Sequence, residues 1–134
     1  MRRLTLILLA CVGLWLGCQT EQVPEAPLRP GKEARLSDVS IPDGFSGDTQ
    51  NSWLYADEGA RVAHLSYKGR PEAEPTVRFF LDHMPMQNWK LSHQREDFGL
   101  TSMVFTKGAE VCTITLYRSW GTTHVTVNLT RQTR

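Results

Sequence analysis

Val111-Cys112-Thr113-Ile114-Thr115-Leu116 and Val125-Thr126-Val127-Asn128-Leu129 alternate polar with apolar residues, and Gly121 lies between the two runs. A period of two belongs to extended chain with one face buried and the other wet. Working outward from this pair, the same alternation runs through Trp89–Gln94 and Leu100–Thr106. Turns are expected at Asp97-Phe98-Gly99, Lys107-Gly108 and Gly121. One face collects Trp89, Leu91, Met103, Phe105, Cys112, Ile114, Leu116, Val125, Val127 and Leu129. The other collects Ser102, Thr106, Thr113, Thr115, Thr126, Asn128 and Thr130. The pattern predicts an antiparallel meander with a single apolar face.

Ahead of the meander, Val77, Phe80, Leu81 and Met84 fall at the i, i+3, i+4, i+7 spacing of a buried helical stripe, with Pro75 suited to a first helical position and Pro85 as a stop. Asn88 suits a left-handed turn before Trp89. Further upstream, Trp53–Ala56 and Arg61–Tyr67 flank Asp57-Glu58-Gly59-Ala60 as a hairpin, and Ile41–Phe45 reads as a short extended segment and turn. The expected fold is α+β: an antiparallel sheet of five to six strands with one helix packed on one face, a two-layer sandwich. Residues 40–134 would form this domain.

The chain has 134 residues, with 15 basic and 14 acidic side chains, 40% apolar content and three cysteines. That is one domain's length. A net charge of +1 lacks the basic clustering that nucleic-acid binding by counterion release needs, so nucleic acid is not an expected partner. Scarce cysteine excludes a disulfide-dense scaffold, and a single long apolar run excludes a multispan membrane protein.

That run follows Met1-Arg2-Arg3 and extends from Leu4 to Gly17 before Cys18-Gln19-Thr20. Fourteen residues of helix reach about 21 Å, short of a hydrocarbon core of about 30 Å. The layout is that of an export signal over residues 1–17. Leu14-Trp15-Leu16-Gly17-Cys18 resembles the lipobox of bacterial lipoproteins, with Trp15 as a departure from the family's usual Leu. The rival Leu8-Leu9-Ala10-Cys11 leaves only seven apolar residues ahead of it and would expose Val12–Leu16 in the product. Cys18 is therefore the preferred site.

The resemblance implies a diacylglyceryl thioether on Cys18, a palmitate-type acyl chain on its new amine, and a membrane partner through that anchor. Gln19, where lipoproteins retained at the inner membrane carry Asp, implies the periplasmic face of the outer membrane in the bacterial cell envelope. Residues 18–39, with Pro24, Pro27 and Pro30, read as the lipidated cysteine and a Pro-rich tether holding the domain roughly 25 Å away. Cleavage at Cys18 would leave 134 − 17 = 117 residues with Cys112 as the one free thiol, expected to pack in the core.

Phe79-Phe80-Leu81-Asp82-His83-Met84-Pro85-Met86-Gln87-Asn88-Trp89 is similar to the helix-to-strand signature of small uncharacterised bacterial lipoproteins, Met-Pro-x-x-(Gly/Asn)-Trp. The similarity extends loosely to Tyr67-Lys68-Gly69 and Phe105-Thr106-Lys107-Gly108. It implies a domain type and no reaction.

Chemistry-bearing residues are sparse. His64, His83, His93 and His124 lack a close second ligand, so neither a zinc site nor any other cofactor is expected. Ser46 and Ser119 come without an identifiable base, and Gly-x-Ser-x-Gly and glycine-rich phosphate loops are absent. Trp53, Tyr117 and Trp120 are the candidates for contact with an envelope protein or glycan. The expected function is a non-catalytic binding or scaffolding module. The alternative is a small hydrolase-like envelope enzyme whose His and carboxylate site the sequence does not declare.

Overall fold

A computed structural model describes residues 26–133; the segment expected to be an export signal, with Cys11 and Cys18, lies outside them. Six strands form one antiparallel sheet: β1 (Phe45–Asp57), β2 (Ala60–Gly69), β3 (Lys90–Asp97), β4 (Leu100–Lys107), β5 (Glu110–Ser119) and β6 (Thr122–Arg131). Their spatial order is β1-β2-β6-β5-β4-β3. The helix α1 (Ala73–His83) carries the chain from the β1–β2 hairpin to the far edge, and the meander then returns until β6 pairs with β2.

The helix begins two residues before Pro75. A proline inside the first turn is tolerated because those N–H groups have no intrahelical acceptor. Thr76 donates its hydroxyl to the Glu72 carbonyl oxygen at 2.7 Å. The helix ends at Met84, Pro85–Gln87 form a 3-10 turn, and Asn88 takes φ 66 as expected of a left-handed cap. Phe79, Phe80 and Met84 are buried against the sheet, while Val77 and Leu81 are partly buried beside them. Each fully buried aromatic or Met side chain contributes about 1.5–3 kcal/mol, so the helix is held chiefly by packing.

On the sheet, Ala63, Leu65, Tyr67, Met103, Phe105, Cys112, Ile114, Leu116, Val125, Val127 and Leu129 face the helix and are buried. Burial pushes the Cys112 thiol up to about 12, so it is a packing group with little thiolate character. Leu91 departs from the expected apolar face: it pairs with Phe105 yet is 39% exposed, because β3 lies at the edge beyond the helix's cover and a bulge follows between Leu91 and His93.

The folded body also begins earlier than Ser40. Leu36 and Val39, 4% and 1% exposed, belong to the core beside Ile41, and Leu28 packs against it. Pro30 bridges Pro42, Gly31 N–H donates to the Ile41 carbonyl oxygen, and Asp43 N–H donates to that of Arg29. The stretch read as tether is thus a strap over the helix side of the sheet from Leu28 onward.

Candidate binding face

The helix and the strap cover one face of the sheet; the opposite face is open. Strand register fixes its composition. One row crosses all six strands as Trp53, His64, Asn128, Thr113, Val104 and His93. The next runs Asp48, Ser66, Thr126, Thr115, Ser102, Arg95, and a third runs Ser46, Lys68, His124, Tyr117, Leu100, Asp97. The polar and Thr-rich face expected from the alternation is this one.

Its aromatic and histidine side chains hold one another. Trp53 stacks on His64 at 6.3 Å between centroids, and His64 Nδ1 lies 2.6 Å from Asn128 Oδ1. Tyr117 stacks on His124 at 4.8 Å with the rings 11° apart. Trp53, Tyr55 and Tyr117 remain 55%, 60% and 45% exposed. At strand spacings, Trp53 and Tyr117 are roughly 20 Å apart on this face, three strands across and four residues along. Trp120 is not on the face at all: it projects from the β5–β6 turn and is fully exposed. The three aromatic candidates therefore do not form one patch.

Among the described residues there is also an open cleft of ≈ 530 Å³ at the β1–β2 and β4–β5 turns, lined by Asp57, Arg61, Lys107, Glu110 and Arg131 among others. Most of its charges are already paired. Arg61 forks between Asp38 (2.6 and 2.8 Å) and Glu110 (2.8 and 3.0 Å), and Lys107 also donates to Asp38. Hydrogen bonds from Arg61, with Lys107 assisting and burial opposing, lower the Asp38 carboxyl to about 2. The same contacts raise Arg61. Asp38 also places its carbonyl 2.8 Å from Trp89 Nε1, and Lys107 Nζ sits 5.0 Å above the Trp89 ring. This network clamps the strap to the sheet at the helix-to-strand corner, where Trp89 is 2% exposed.

His83 stacks on Phe79 at 4.0 Å and bonds its carbonyl oxygen through Nδ1, and His93 is exposed on edge strand β3. Among the described residues, no three His, Cys, Asp or Glu side chains gather in a metal-holding arrangement. The Tyr67 hydroxyl is buried without a well-formed hydrogen bond; burial raises its phenol, opposed by the nearby Arg35 backbone.

Sequence reading missed Phe98 as an exposed aromatic on a turn. It occupies the β3–β4 turn as Trp120 occupies the β5–β6 turn, and both are fully exposed. The signal was present as two aromatic-Gly pairs, Phe98-Gly99 and Trp120-Gly121, where a hairpin turn ordinarily takes Asn-Gly or Asp-Gly. No family model, curated protein or solved structure matches the chain.

Proposed function

We propose that this protein is a lipid-anchored lipoprotein of the bacterial cell envelope whose folded body is a non-catalytic binding module. Residues 1–18 support the location through their basic start, apolar run and Gly17-Cys18 ending. The observation that carries the binding reading is the one-sided cover of the sheet: the face bearing Trp53, His64, Asn128, Tyr117 and His124 is presented to solvent across all six strands. Rigid strands under exposed aromatic rings give a partner a preformed surface at little ordering cost.

The testing experiment is intact mass of the native chain with and without Cys18→Ala. The expected product starts at Cys18, carries three acyl chains and partitions with membranes, and Cys18→Ala retains the leader without the acyl mass. An unmodified Cys18 in the native product rejects the anchor.

A further inference from the structure

The strand order places the β3–β4 and β5–β6 turns at the same end of the sheet, two strands apart, roughly 10 Å. Phe98 is 103% exposed and Trp120 is 101% exposed. Each is the first residue of a two-residue turn in which both residues have positive φ: 49° and 77° for Phe98-Gly99, 51° and 74° for Trp120-Gly121. That is the pattern of a type I′ turn, and an L side chain with a bulky ring rarely occupies it. Behind them Leu100 and Tyr117, cross-strand partners, are each 45% exposed and extend the apolar surface down the open face. Beside the tips Arg95 pairs with Asp97 at 2.8 Å and Arg118 with Glu72 at 3.0 Å, while Glu96, Lys68 and Arg70 stand outside these pairs.

The described chain begins at this end as well. Arg29 and Pro30 run antiparallel to Pro42 and Asp43, immediately ahead of Gly44 and the start of β1, which pairs with Gly69 at the end of β2. The approach is close: a Cβ on Gly69 would lie 2.5 Å from the Gly44 carbonyl oxygen. From Cys18 to Ala26 there are 26 − 18 = 8 residue steps, at most about 29 Å of chain.

We propose that this end of the sheet docks on a phospholipid bilayer, with the Phe98 and Trp120 side chains inserted into its interfacial layer. The inference rests on the lipid-anchor reading for the nearness of the bilayer, while the contact itself belongs to the two turns. Two rings on separate projecting turns suit a fluid interface, whereas a protein partner would need two sockets at matched spacing. An indole, apolar in body and polar at its N–H, is the side chain enriched at that depth. The side chains at the two tips are themselves uncharged rings, so their insertion does not require anionic lipid.

The test reconstitutes the full chain into phosphatidylcholine vesicles with and without brominated acyl chains and reads tryptophan emission for the native chain, Trp120→Phe and Trp53→Phe. The bromine-quenched part of the emission is expected to shrink in Trp120→Phe and to stay unchanged in Trp53→Phe; Trp15 leaves with the leader in the processed chain, and where the leader is kept it contributes equally to all three. Equal quenching in the native chain and Trp120→Phe overturns the proposal. So does a Trp120 shielded from aqueous iodide but untouched by the brominated lipid, which assigns the tip to a protein neighbour. Intact mass of the same sample separates the two readings: quenching with an unmodified Cys18 supports the contact and rejects the anchor, and a lipidated Cys18 without quenching does the reverse.

Discussion

The two ends of the sheet are built on opposite principles. At one, the turns Asp57–Ala60 and Lys107–Glu110 carry charged and small residues, and four charged side chains, Asp38, Arg61, Lys107 and Glu110, lock the strap to the sheet. At the other, the turns carry aromatic rings that touch little of the body. The first end uses its side chains on the protein itself. The second directs them outward, which teaches that stability and contact are separated along the strand axis over one shared core.

The severest way to break both ends together is to break that core. Met84→Asp places a carboxylate where Met84 is 1% exposed and is expected to lower stability by about 4 kcal/mol or more. A urea midpoint unchanged from the native chain rejects the burial of the helix stripe. Asp38→Asn, confined to the clamped end, removes the negative charge and one of the two oxygens that accept from Arg61 and Lys107, and is expected to cost about 2–3 kcal/mol. Its signature is earlier proteolytic cutting within residues 28–39 than in β5, since the strap loses its tie first.

Acid reads the same clamp with a smaller effect. The Asp38 carboxyl is lowered from 3.8 to about 2, so its contribution is fully present above pH 4–5 and is lost as pH falls through about 2. An expected loss of roughly 1–2 kcal/mol across that window is absent in Asp38→Asn. Equal acid sensitivity of the two chains assigns the loss to other carboxylates.

Periodicity reported what periodicity can carry. The meander, the helix stripe and the Asn88 turn were legible because each is a local pattern with its own physical cause, alternation, 3.6-residue spacing or a permissive φ. The strap was not, since Leu36 and Val39 are buried in one cluster with Trp89, Tyr67 and the apolar face of the sheet across long sequence separations, in a stretch whose prolines look like linker. The first half of β1, Phe45 to Ser52, is polar and bulged between Asp48 and Trp53, so it carries no alternation to read. Candidate contact residues were half visible for a related reason. Trp53, Tyr117 and Trp120 stand out by type, but only the order β6-β5-β4-β3 brings Trp120 beside Phe98 and parts it from Trp53.

The smallest expected effect sharpens the comparison most, because its sign is opposite to the others. Asn accepts the left-handed turn position more readily than a bulky ring, through its short polar side chain. With Phe98 and Trp120 making no contact that buries them, Trp120→Asn and Phe98→Asn are each expected to raise stability by about 0.5–1 kcal/mol, seen as a higher urea midpoint at unchanged slope. The two turns are roughly 10 Å apart, so the gains should add in the double variant. A fall in stability instead means that the rings pack on the body and belong to the fold. A rise, joined to loss of the bromine-quenched emission in Trp120→Asn, means that the aromatic tips are held against the local preference of the backbone, at the one end of the sheet where contact outweighs stability.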